Sequence, residues 1–332
     1  MNKIFIPPFI ISVALLVGVY FWSGTIALFL TMILSVLEIT LSFDNAVINA
    51  KILSKMSAKW QSRFLTWGMF IAVFGTRVLL PVLIVSTALW KSPVIISYLA
   101  VYNATEYGRL LASVRPAIAA FGGSFLLMVS LKYFFDEVKD IHWIEVIEKK
   151  LSLLGKMEAI EIALVLSTLL FLGFLLPTLA AIILTSGSIG IILFVLVEGL
   201  ANVFTKEVGR VASGGVALFL YLNVIDSAFS LDGVVGAFAL TTSLIVIAVG
   251  LGIGALFVRT LTLQLVRQKT LDQLVYLEHG AHWAIFGLAV SMFIGLIIHV
   301  PEVIIGSIGI FFILASYFSS KRLLKATLLA SK

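Results

Sequence analysis

This chain of 332 residues has no cysteine and little charge: Asp, Glu, Lys and Arg make up 12% of it, against 61% apolar residues. Without a thiol there is no disulfide, no thiolate metal ligand and no cysteine nucleophile. Histidine is limited to four residues, and no His-Glu-x-x-His sequence occurs, so the usual helix-borne zinc hydrolase motif is missing. No serine stands in a recognisable nucleophile setting either, and an enzyme is not expected. A soluble domain carries about twice this charged fraction, so the composition is that of a membrane protein. The net charge of +6 does not point to nucleic acid, because Lys and Arg fall in short breaks between apolar runs.

Those runs define the architecture. A window of roughly 20 residues finds about ten spans, near 5–22, 25–49, 64–88, 114–135, 160–184, 188–204, 212–238, 242–265, 281–298 and 302–319. The predicted fold is an all-α, polytopic transmembrane bundle, with the lipid bilayer as its main partner and homo-oligomerisation left open. The first run is preceded only by Lys3 and opens on Pro7-Pro8 with no small-residue cleavage site, so it reads as a retained helix. The connection 89–113, rich in Ser, Tyr and Asn, has the composition of a segment that dips partly into the membrane.

Positive charge sets the predicted orientation. With the N-terminus inside, the inner breaks carry Lys51, Lys55, Lys59 and Arg63, then Lys139, Lys149, Lys150 and Lys156. Lys206, Arg210, Arg267 and Lys269 follow, and the tail adds Lys321, Arg322, Lys325 and Lys332. Only Lys91, Arg109 and Arg115, in and just after the 89–113 connection, fall outside. A multi-pass protein of the plasma (inner) membrane with both termini cytoplasmic is expected.

Within these runs, two acidic segments repeat. Glu38 is followed six residues later by Asp44-Asn45, and Asp226 six residues later by Asp232-Gly233, each with a serine (Ser42, Ser230) two residues before the second acid. A carboxylate in membrane-length apolar sequence costs on the order of 2.5–3.5 kcal/mol on insertion scales, so a duplicated pair points to function. The segments lie on the second and seventh spans, an odd offset that makes the helices antiparallel. That is an inverted repeat, an arrangement from which secondary transporters build midplane sites. Gly68 and Gly250 each stand nine residues before an intramembrane arginine, Arg77 and Arg259, and Glu106-Tyr-Gly parallels Glu278-His-Gly. The predicted organisation is a first half over 1–135 (repeat core about 25–135), a charged cytoplasmic linker over 136–161, and a second half over 162–332 (repeat core about 212–298).

On an ideal helix Glu38, Ser42, Asn45 and Asn49 share one stripe, as do Asn223, Asp226 and Ser230. Asp44 and Asp232 lie about 120° round from their partners, so the acids converge only if the helices unwind near Ser42–Asn45 and Ser230–Gly233. Carboxylate, amide and hydroxyl oxygens suit hard divalent cations, Mg²⁺, Ca²⁺ or Mn²⁺. Zn²⁺ or Fe²⁺ enter if His279 or His282 takes part. A carboxylate buried without metal takes up a proton and metal displaces it, a physical route to exchange. The predicted metal positions are Glu38, Asp44, Asn45, Asp226 and Asp232, supported by Ser42, Ser230, Asn49 and Asn223. Arg77 and Arg259 would balance charge, or form buried structural pairs with Asp44 and Asp232. Glu106, Glu198, Glu278, His279 and His282 are candidates for a gate or proton relay; His142 and His299 are assigned no special role, and the Gly122-Gly123 pair is read as a close helix contact.

At these residues the sequence resembles the TerC family of integral membrane proteins. Leu41-Ser-Phe-Asp44-Asn45 is similar to that family's first-repeat signature. Asp226 through Asp232 is similar to the second, where Asp-Ser is usual in place of Asp232-Gly233. The stretches Ala119–Met128, Phe134–Trp143 and Glu278–Trp283 resemble a longer TerC-like branch long catalogued as a domain of unknown function. The resemblance implies a place in the LysE-type transporter superfamily, a link to tellurium resistance, and export of a divalent metal, Mn²⁺ first. The expected function is therefore secondary export of a divalent cation by proton exchange, with no resident cofactor. Alternatives are transport of an organic cation or zwitterion, and a non-transporting subunit of a metal or tellurite stress system that docks partners on the linker.

Overall fold

The computed structural model describes residues 3–68, 70–71, 75, 79–137, 139–206, 214–241, 243–268, 273–298 and 300–330. Among them are fourteen α-helices and no strand. Helix α1 runs Ile6–Leu41, 36 residues, or about 54 Å at 1.5 Å per residue, too long for one crossing of a ~30 Å apolar core. Gly24 divides it: its φ of 82° is open to glycine at no Cβ cost, and it falls where the sequence separates the first two spans. Large apolar side chains before Gly24, Phe21 and Trp22 above all, face outward, as lipid-facing residues do.

After a break at Ser42 come α2 (Phe43–Ser54), α3 (Ala58–Arg63) and a π-helical turn, Phe64–Gly68. Arg77 lies outside the described residues. The chain resumes as α4 (Leu80–Ala88), and the 89–113 connection contains two short helices, α5 (Pro93–Tyr102) and α6 (Ala104–Ser113). Then follow α7 (Arg115–Phe134), the linker helix α8 (Glu145–Leu154), α9 (Ile160–Leu175), α10 (Ala180–Lys206), α11 (Gly214–Leu240), α12 (Leu244–Arg267), α13 (Leu277–Ile294) and α14 (Glu302–Ala330). Among the described residues five helices are long and apolar enough to cross a membrane, in α1, α7, α10, α12 and α14. The molecule is an all-α bundle of membrane type.

One boundary differs from the sequence expectation. The fifth and sixth spans part at Leu176–Leu179 and not near 185–187, because Pro177 biases Leu176 out of the helical region, to φ −123° and ψ 69°. The polar stretch Thr185–Ser188 stays helical: the Thr185 hydroxyl donates to the Ala181 carbonyl at 2.6 Å, so its polar group needs no water.

Two packed cores hold the bundle. Buried α7 is the pillar of one, against α10 and α13, where Gly123 meets the Phe293 ring. The other joins α1 and α12 to α4–α6. Two cavities mark the bundle's ends. One is lined by Lys51, Lys132, Glu161, Glu198, Tyr221 and Glu278 among others; the other by Arg115, Gly295 and Ile305 among others. The C-terminal ends of α2, α7 and α10 and the N-terminal ends of α9, α11 and α13 therefore share the first end. Antiparallel placement of α2 and α11, which the repeat requires, follows.

Candidate cation site

Ser42 interrupts the helix with φ −102° and ψ 14°. The break is slight: Ser42 N–H still donates to the Glu38 carbonyl at 3.0 Å and Ala46 N–H to the Ser42 carbonyl at 3.1 Å. What it releases is the first turn of α2, where Asn45 N–H donates instead to Asp44 Oδ1 at 2.8 Å. The result is a small, partly enclosed cavity of about 10 Å³ lined by Glu38, Ser42, Asn45, Asp226 and Arg259, with Ala255 and Val258. That volume is room for one water or one ion.

Its polar groups are tightly held. Ser42 Oγ donates to Glu38 Oε1 at 3.1 Å. Asn45 Nδ2 donates to Asp226 Oδ1 at 2.7 Å, across 181 residues. Arg259 Nη2 donates to Asp226 Oδ2 at 2.7 Å and Nη1 to the Phe64 carbonyl at 3.1 Å. The guanidinium also lies 4.2 Å from the Phe64 ring centroid. That carbonyl belongs to the π-helical turn, a departure that often marks functional positions. Glycines allow the approach. A Cβ at Gly68 would come within 2.7 Å of Arg259 Nη1, and one at Gly254 would overlap the Glu38 stem.

Glu38 and Asp226, the first acids of the two repeats, thus share one cavity. Asp44 is buried but does not line it. The single break swings Asn45, not Asp44, onto the acid of the other repeat. No second break exists, since α11 is continuous through 230–233: unsatisfied backbone groups are costly in an apolar layer, and Gly233 alone does not force one. The side chains of Ser230 and Asp232 lie outside the described residues, as does His299. Arg259 pairs with Asp226, the first acid of the second repeat, and the predicted pairing with Asp232 falls on a side chain outside the described residues. Among the described residues no three His, Asp or Glu side chains meet at one metal-sized point. Buried Asn45, Asn49 and Asn223 each keep an Oδ1 with no hydrogen-bond partner.

The larger cavity, about 760 Å³, opens at the α2 C-terminus. Five carboxylates line it: Asp136, Glu137, Glu161, Glu198 and Glu278. Three lysines oppose them. Lys51 pairs with Glu278 at 2.8 Å, Lys132 lies 3.3 Å from Glu161 and 3.8 Å from Glu198, and Lys55 completes the set. His282 stacks on Tyr133 at 3.6 Å and donates through Nδ1 to the Glu278 carbonyl. Glu198, Glu278 and His282 are therefore vestibule residues. Glu106 is not: it forms an exposed, bidentate pair with Arg109 at 2.7–2.8 Å, one turn along α6.

A family model described as a protein of unknown function (DUF475) matches residues 43–326. The chain belongs to that family. No curated protein and no solved structure matches it. The DUF475 match takes in Asp44, Asn45, Asp226, Arg259 and the whole linker, and begins after Glu38.

Within the DUF475 region lies a centre that sequence reasoning did not single out. Glu148 of the linker helix is fully buried. Its carboxylate accepts from His279 Nδ1 at 2.7 Å, Trp283 Nε1 at 3.0 Å and the backbone N–H groups of Trp143 and Ile144 at 3.1 and 3.4 Å. Lys139 Nζ lies at 3.5 Å and His142 Nδ1 at 3.8 Å. Burial opposes the Glu148 charge, but His279, Trp283 and Lys139 together outweigh it and hold the carboxyl down at about 2. The stretches Phe134–Trp143 and Glu278–Trp283 thus converge on one acid. His279 docks the linker and does not face the vestibule, and His142, assigned no role from sequence, stands beside the same carboxylate.

Proposed function

We propose that this protein is a secondary transporter that exports a divalent cation, Mn²⁺ by preference, from the cytoplasm in exchange for protons. One observation carries the reading: the repeat-equivalent acids Glu38 and Asp226 line an ion-sized, partly enclosed cavity with Ser42 and with Asn45, whose Oδ1 has no partner. Two carboxylates, a hydroxyl and an amide oxygen form a hard donor set for such a cation. Asp44 and Asp232 are kept in the proposal as acids that join the site in another conformation. Arg259 on Asp226 is an internal cation that balances the empty site, and alternating access comes from rocking the two repeats about it.

The finer kinship, with TerC proteins of the LysE-type superfamily and tellurium resistance, belongs to this proposal too. So do the inner-membrane location and the cytoplasmic termini, which rest on the placement of Lys and Arg. Among the described residues the ion-sized cavity has no aromatic lining, which favours an ion over an organic cation or zwitterion. The linker turns a buried acid onto its own chain, which speaks against a docking subunit. Flux of Mn²⁺ in vesicles should fall at least tenfold in Asp226→Asn and in Glu38→Gln, and also in Asp44→Asn and Asp232→Asn. Undiminished flux in all four, at normal expression, would sink the reading.

A further inference from the structure

The small site and the vestibule lie along the same two helices. On α2, Asn45 lines the site, while Ile48, Lys51 and Ile52 line the vestibule. On α11, Asp226 lines the site and Tyr221 the vestibule. Because α2 and α11 run antiparallel, one turn from Asn45 towards the vestibule is Asn49, and the corresponding step from Asp226 is Asn223. Both are buried, with 1% and 7% of their surface exposed, and both leave Oδ1 without a hydrogen-bond partner. Asn223 anchors its Nδ2 on the Phe219 carbonyl at 2.7 Å, so its amide is oriented and the carbonyl end is the idle one.

An unpartnered buried amide oxygen costs about 1–3 kcal/mol. Two such groups, each one turn from the Asn45–Asp226 contact on helices that pack together, are hard to attribute to packing. The vestibule beyond them carries five carboxylates against three lysines, in a chain whose net charge is +6. Acid concentrated in one chamber of a basic protein raises the local concentration of cations.

We propose that Asn49 and Asn223 form a transit position for a partly dehydrated divalent cation. The ion would load from the acidic vestibule, exchange water for the two idle carbonyl oxygens, and pass to the Glu38–Asp226 site. This rests on the transport reading above and assigns these residues to the path, not to the resting site. The departure from the sequence expectation is definite, because they act on rate and not on affinity.

The test uses the full chain, reconstituted in proteoliposomes, with Mn²⁺ as the probe. Asn49→Leu and Asn223→Leu keep the branched shape and the number of heavy atoms and remove the oxygens. Expected are at least tenfold slower Mn²⁺ flux and an equilibrium Mn²⁺ Kd within twofold of the unaltered chain. Flux within twofold of normal would overturn the transit position, and so would a Kd raised in step with the loss of flux. Should the leucine variants fold poorly, the chain's lack of cysteine gives a second measurement. Asn49→Cys should react with a small cationic thiol reagent from the vestibule side during turnover, and Mn²⁺ should slow the reaction. No reaction, or one indifferent to Mn²⁺, overturns the path. If the unaltered chain neither binds nor moves Mn²⁺, the transport reading fails and the path with it. Binding and flux that ignore both asparagines refute the path alone.

Discussion

Asp226 accepts from two sides, an amide and a guanidinium, and that arrangement makes its neighbours separable by mutation. Removing one partner of a buried ion pair costs about 3–5 kcal/mol, because the remaining charge is stranded, whereas replacing both partners with apolar groups is often neutral. Arg259→Met alone and Asp226→Leu alone should therefore lower the thermal midpoint in detergent far more than the double variant. A double variant no more stable than the worse single one would show that the pair is not what matters there. The close contact at Gly254 predicts differently. A methyl group there displaces the Glu38 stem, and overpacking costs about 1–3 kcal/mol. Gly254→Ala should lose both stability and Mn²⁺ affinity, while Gly199→Ala, with open space around it, should lose neither. Equal behaviour of the two in a melting and binding series would remove Gly254 from the site's support.

At the scale of elements, the linker helix is clamped through Glu148. A carboxyl held at about 2 in place of the ordinary 4.5 contributes on the order of 3 kcal/mol to docking. The sign follows from the depressed value: the contribution is complete above about pH 4.5 and is lost as pH falls towards 2. Linker proteolysis should therefore stay slow at pH 5 and accelerate below about 4, and Glu148→Gln should be cleaved quickly even at pH 7. A pH-independent cleavage rate in both would refute the clamp. Sequence reasoning could not find this centre. In α8, Val146 and Ile147 face outward while Glu148 is buried, the reverse of an amphipathic pattern, so only tertiary contact with His279 and Trp283 reveals it. The acidic segments were legible because carboxylates stand out in apolar sequence, and Gly24 and Ser42 lie where spacing puts a break. The convergence was legible only in part. Spacing correctly demands a kink for Asp44 to move, but which side chain swings inward depends on the depth of the break, and a one-residue break turned Asn45 to Asp226. The Arg259–Asp226 pair was not legible for a related reason, since periodicity fixes a helical face and not the partner across from it.

For the molecule as a whole, the direction of the proposed transport depends on which end faces the cytoplasm. The vestibule end gathers Lys51, Lys55 and Lys132, with Lys139 and Lys149 in the linker beside it. Positive residues in short connections favour the cytoplasmic side. The proposed export further requires that the chamber from which the ion would load open to that side. The chain has no cysteine, so single replacements report position without background. Lys59→Cys and Lys150→Cys, both exposed near the vestibule end, should react with a membrane-impermeant thiol reagent only in inside-out vesicles. Thr178→Cys and Thr241→Cys, in the breaks after α9 and α11 at the opposite end, should react only in intact cells. The opposite labelling pattern would place the acidic vestibule outside. The two-acid site would then load from the exterior, and the same residues would describe uptake in place of export.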